Sequence, residues 1–230
     1  MFQTDPFSLI VLFVGLSLLP FVAMIATSYL KIVVVMSLIR NALGIQSIPP
    51  NMVINALAII LSFYIMAPVC SESWTIAKQE MAQTTKQNET KQTGNSPGTI
   101  PYFETEAVAK AAEPFREFLS KQTSDRERTF FISTAERLWG KDDQPAKVDP
   151  ESFYILIPSF CVSELTKAFQ IGFLVYLPFI AIDIIVSNIL LAMGMMMVSP
   201  VTISLPFKLL LFVMVNGWTL LIQGLIRGYV

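Results

Sequence analysis

The chain has 230 residues and a net charge of −1, with 53% hydrophobic and 14% charged residues, where a soluble domain carries about 25% charged. So apolar a balance points to a membrane protein, and without a basic cluster there is no nucleic-acid footprint. No histidine is present, which removes the usual general base and the commonest metal ligand. No catalytic residue, metal or cofactor is expected, and the chain reads as a non-enzyme.

The charges divide the chain. There are 16 basic and 17 acidic residues, and all but Asp5, Lys31, Arg40, Glu164, Lys167, Asp183, Lys208 and Arg227 lie between Glu72 and Glu151. Three parts follow: an apolar helical hairpin over 1–71, a polar helical domain over 72–151, and apolar helical hairpins over 152–230.

In the first part, residues 6–30 and 41–71 carry no charge, and the core of the second run is 51–70. Each run exceeds the ~20 residues that cross a bilayer core. The N-terminal run lacks a basic flank and reads as a retained segment, not a cleaved signal peptide. Lys31 and Arg40, with no acid between them, read as a cytoplasmic connection, which places 72–151 outside the cytoplasm.

The second part opens with a polar loop over 79–98. Its Asn88-Glu89-Thr90 matches a glycosylation sequon, a pattern too short to carry weight. Val108, Ala111, Ala112, Phe115, Phe118 and Leu119 then repeat at helical spacing, with Pro114 as a kink or restart. Ser124 and Glu127 form a capping-box pattern ahead of Phe130, Phe131, Thr134 and Leu138, and Gly140 is placed to stop that helix.

In the third part the uncharged runs are 152–163, 168–182, 184–207 and 209–226. The stretch "SPVTISLP" breaks the third run and leaves 184–198 as its helical portion, short for a span at ~1.5 Å per residue. Glu164, Lys167, Asp183 and Lys208 would be costly facing lipid unpaired, so they are expected to pair within or between copies. Glu164 and Asp183 could also be read as the proton relay of a self-contained transporter or channel, but transporters show matching internal repeats. The two apolar halves here are unlike in length and in the position of their breaks. Gly224 and Gly228 form a G-x-x-x-G, with Arg227 inside it. Cys70 and Cys161 lack metal or redox spacing and read as free thiols buried in apolar runs.

Several stretches carry a resemblance to one family. They are "RNALGIQSIPPN" (40–51), "EPFREFLSKQTSDRE" (113–127), "PSFCVSEL" followed after six residues by Gly172 and Phe173, and "LPFIAIDIIVSNILLAMGMMMVSPVTISLPFKLLLFVMVNGW" (177–218). Together they resemble the SctR/FliP export-gate proteins of type III secretion systems and bacterial flagella. "MVSP" stands where many flagellar members have a double proline, and Asn216 where many have aspartate, which favours the injectisome branch.

The resemblance implies an all-α fold of membrane-protein-like hairpins with an inserted extracytoplasmic helical domain. It implies a ring or cone of five copies in the bacterial inner membrane and the periplasmic base of the secretion basal body, with the helices largely lifted out of the bilayer. SctS and SctT are the implied partners, SctU a further one, and unfolded exported proteins the transient clients. Met195, Met196 and Met197 lie within the strongest match. On a helix, consecutive side chains point about 100° apart, so the three cannot share one core. In a ring they would form a flexible gasket around a passing polypeptide.

Overall fold

The computed structural model describes residues 6–45, 48–90, 109–140 and 148–229. These residues form α-helices and no strand, so the chain is all-α. The helices are α1 (Pro6–Ile25), α2 (Tyr29–Ala42), α3 (Asn51–Thr90), α4 (Glu113–Gln122), α5 (Asp125–Trp139), α6 (Phe153–Ala192), α7 (Pro200–Met214) and α8 (Gly217–Arg227). By length and composition, Asn51–Glu80 and the whole of α6 are apolar enough to cross a membrane, as are α7 and α8 taken together across a 59° bend.

Packing gathers the chain into two compact units. One combines Met1–Thr27 with Met66–Cys161, the other Ser28–Ile65 with Val162–Val230.

The first unit has a small aromatic core. Ala26, Leu119, Leu156 and Phe160 are buried, with Phe115, Phe118, Phe153 and Ile157 packed on them. The Phe118 and Phe160 rings lie 5.9 Å apart in a tilted arrangement. The helical spacing of Phe115, Phe118 and Leu119 thus delivers the face it predicts; Val108 lies outside the described residues. Pro114 acts as a restart: α4 begins at Glu113 with the proline in its first turn, where the missing N–H costs nothing. Arg116 pairs with Glu113 at 2.8 Å and lies over the Phe153 ring at 5.3 Å. Ser124 takes the N-cap position of α5 in extended backbone, but its side chain makes no capping hydrogen bond. Gly140 ends that helix in extended backbone rather than in the left-handed conformation of the usual glycine stop.

The second unit is built around α2. Ile32, Val35, Met36 and Ile39 recur at spacings of three and four and are fully buried. Around them pack Ile54 and Ala58 of α3, Ala168 and Phe179 of α6, Phe212 of α7, and Leu221 and Leu225 of α8. Fully burying one such aliphatic side chain contributes roughly 1.5–3 kcal/mol, so α2 is the unit's main apolar anchor. Helix α6 comes close to α2 at Gly172, where an added Cβ would stand 2.3 Å from Leu38 Cδ1.

Four local expectations are corrected. Residues 31–40 are not a connection but most of α2, because their apolar positions form a helical stripe that outweighs two charges. The runs 152–163, 168–182 and 184–192 are one continuous helix of 40 residues, about 60 Å long at 1.5 Å per residue. Glu and Lys are good helix formers, so Glu164 and Lys167 decide what each side of α6 meets without interrupting its backbone. Residues 79–90 continue α3 instead of opening a loop, in keeping with their Gln, Glu, Lys, Ala and Met content; 91–98 lie outside the described residues. Finally, the break in the third run falls at 193–199. Pro200 starts α7, and Pro206 lies inside that helix.

Cys70 and Cys161 are unpaired. Cys161 is half-buried and donates to the Ile25 carbonyl at 3.5 Å, whereas Cys70 is exposed in this chain rather than buried.

Candidate functional site: buried charges and a methionine loop

Glu164 is 0% exposed, and an isolated buried carboxylate is prohibitively costly. The second unit supplies it with three partners. Lys31, 2% exposed, places Nζ 3.1 Å from Oε2. Lys167, one turn along α6, reaches Oε1 at 3.2 Å. The hydroxyl of Tyr229 donates a short hydrogen bond to Oε2. Lys31 also stands 3.5 Å from the centroid of the Tyr229 ring, a cation–π arrangement that stabilises a desolvated ammonium.

The other predicted charges meet elsewhere in the same unit. Lys208, buried on α7, pairs with Asp183 of α6 at 2.6 Å. It also donates to the carbonyl of Ala42 at 3.3 Å, so its charge meets the negative end of the α2 dipole. Ser204, one turn before Lys208, donates to Asp183 Oδ1 at 2.6 Å. Glu164 with Lys167, and Asp183 with Lys208, are thus separate pairs, each within one copy.

Reading the sequence missed Lys31, Ser204 and Tyr229. Charge pattern alone puts Lys31 in a connection, yet it stands four residues before Val35 on the stripe that α2 buries, and that spacing is the available signal. Nothing in the sequence marks Tyr229, because its partner lies 65 residues away.

The methionine segment differs in every respect. Helix α6 ends in a Schellman motif, in which Met195 N–H donates to the Leu190 carbonyl at 2.9 Å and Gly194 N–H to Leu191 at 3.0 Å. Gly194 has φ +73°, the left-handed conformation this motif requires at that position. The chain therefore leaves the helix, and Met195, Met196 and Met197 form a loop, not the helical segment expected. They are 41%, 83% and 101% exposed. Pro200 then restarts the helix as α7.

These features can be set beside known proteins. The FliP family matches residues 12–225. "Yop proteins translocation protein R" of Yersinia pestis is 50% identical over 225 residues, covering 98% of this chain and 97% of the relative. "Hypersensitivity response secretion protein HrcR" of Ralstonia nicotianae is 46% identical over 223 residues, 96% of each. "Flagellar biosynthetic protein FliP" of Bacillus subtilis is 38% identical over 226 residues, covering 96% of this chain and 90% of the relative. With the match running through α2, the charged stretch of α6, the methionine loop and α8, the chain belongs to the FliP family.

Proposed function

We propose that this chain is a pore-forming subunit of a type III secretion export gate of the injectisome branch, through which unfolded proteins enter the secretion channel. The observation that carries the reading is 50% identity, over 98% of the chain, to a relative named for translocation of Yop proteins. Identity to the flagellar relative is lower, at 38%. The apolar helices support a place in the bacterial inner membrane at the periplasmic base of the apparatus. Five copies, joined by SctS, SctT and SctU, would cover the large apolar side chains left exposed on one chain, such as Phe63, Phe173 and Met214. Exposed apolar surface of that extent requires lipid or protein cover.

In this assembly Met195–Met197 act as a gasket. The loop is exposed and anchored at both ends by helix termini, and thioether side chains re-pack around varied surfaces. Replacing all three with alanine removes apolar bulk without touching the core. The expected result is unchanged recovery of assembled gates with raised conductance or dye entry in cells. Assembled triple-mutant gates as tight as the parent would reject the gasket. Native mass spectrometry of detergent-solubilised complexes tests the subunit role: a five-copy species that recruits other export subunits is expected, and a stable monomer or dimer that moves ions would replace the gate with a transporter.

The charged segment 72–151 is assigned to the periplasmic side. A cysteine introduced at Gln92 should react with a membrane-impermeant maleimide applied from the periplasm, and labelling only from the cytoplasm would invert the assignment.

A further inference from the structure

Helix α8 docks through a short apolar stripe, with Trp218 and Ile222 packed beside its buried positions. It has 11 residues, of which Leu221 and Leu225 are buried, and helices this short depend on docking for their stability. Past its end the chain makes one more turn, with Gly228 N–H donating to Gly224 at 3.2 Å and Tyr229 N–H to Ile226 at 3.0 Å. That turn delivers Tyr229 onto the buried Lys31–Glu164 pair. There the ring covers Lys31 while the hydroxyl donates to Glu164, so one side chain touches both members of an ion pair contributed by α2 and α6. The position beside Gly228 is close as well, since an added Cβ there would lie 4.0 Å from Lys31 Nζ.

We propose that Tyr229 is a latch: its hydrogen bond to Glu164 and its ring over Lys31 hold α8 and the turn after it onto α2 and α6. The two contacts are separable. The hydroxyl is one of three donors to a buried carboxylate, and a buried acceptor that loses a donor is costly. The ring shields the ammonium from water and supplies cation–π attraction. The latch concerns this chain's own packing and does not rest on the secretion role.

Hydrogen exchange of the backbone amides of residues 217–229, measured on the purified full chain in detergent micelles, tests it. Tyr229→Phe keeps the ring and removes the donor. Exchange over 217–229 should rise about tenfold or more, the scale set by losing a hydrogen bond to a charged acceptor. Exchange over 113–139, in the other compact unit, should stay as in the parent. Tyr229→Ala removes both contacts and should raise 217–229 further; if that variant does not fold, Tyr229→Phe decides alone. Parent-like exchange over 217–229 in Tyr229→Phe, or a rise shared equally by 113–139, would overturn the latch.

Discussion

Glu164 and the Met195–Met197 loop belong to the same helix and its end, yet they are opposites. Around Glu164, every polar atom is matched within one copy, by groups brought from α2, from α6 itself and from beyond α8. The methionine side chains instead stand largely open, Met196 and Met197 at 83% and 101% exposure, although the backbone leading there is tightly specified by Gly194. The difference separates what a single copy completes from what it leaves open. Buried charges impose a demand that the fold meets locally, because leaving them unpaired would unfold it. Exposed thioethers impose no such demand on one chain, and so are free to act on something outside it.

The comparison can be broken most forcefully at the carboxylate. Glu164→Ala leaves Lys31 buried without its counter-charge, and removal of one partner from a buried pair costs about 3–5 kcal/mol. Thermal unfolding in detergent should show a large loss, with assembled complexes recovered poorly. A parent-like melting temperature would mean that the network is ornamental to stability.

A smaller effect is expected in the apolar core beside it. Asn216 adopts a left-handed backbone at φ 51°, and at Gly217 an added Cβ would stand 2.3 Å from the Phe212 ring. Phe212 in turn packs edge-on against Trp218 at 5.4 Å. Gly217→Ala therefore overpacks the corner between α7 and α8, by about 1–3 kcal/mol. Co-substitution of Phe212→Leu should recover part of the loss, which distinguishes a steric clash from a backbone effect.

At the methionine end, Gly194→Ala tests the specified backbone rather than the side chains. No atom lies within 4 Å of a Cβ added there, so the cost is conformational only, about 1–2 kcal/mol for forcing a left-handed residue. It should appear as a modest drop in melting temperature. A drop as large as that of Glu164→Ala would mean that the loop is packed rather than open. Smallest of all is the stability effect of converting Met195–Met197 to alanine, expected to be close to zero beside the effect proposed for it on sealing.

How much of this was legible beforehand varies with the kind of force involved. The helical stripe of Phe115, Phe118 and Leu119, a kink or restart at Pro114 and the need to pair Glu164, Lys167, Asp183 and Lys208 all follow from local spacing or from the cost of burying charge, while the structure decides for the restart. Both are properties of residue type and order. The continuity of α6 is hidden from a hydropathy pattern, because Glu164 and Lys167 interrupt the apolar runs without interrupting the helix. Lys31 is hidden in the same way, inside the buried stripe of α2. The sequence by itself determined an all-α, apolar chain with buried charges in need of partners and a methionine cluster beside a turn. Only the tertiary structure decided that Lys31 serves Glu164, that Lys208 serves Asp183, that Tyr229 closes the first pair, and that the methionines stand clear of any helix. Those outcomes depend on which helices lie side by side, and on a glycine whose left-handed backbone becomes visible only once the chain has turned there.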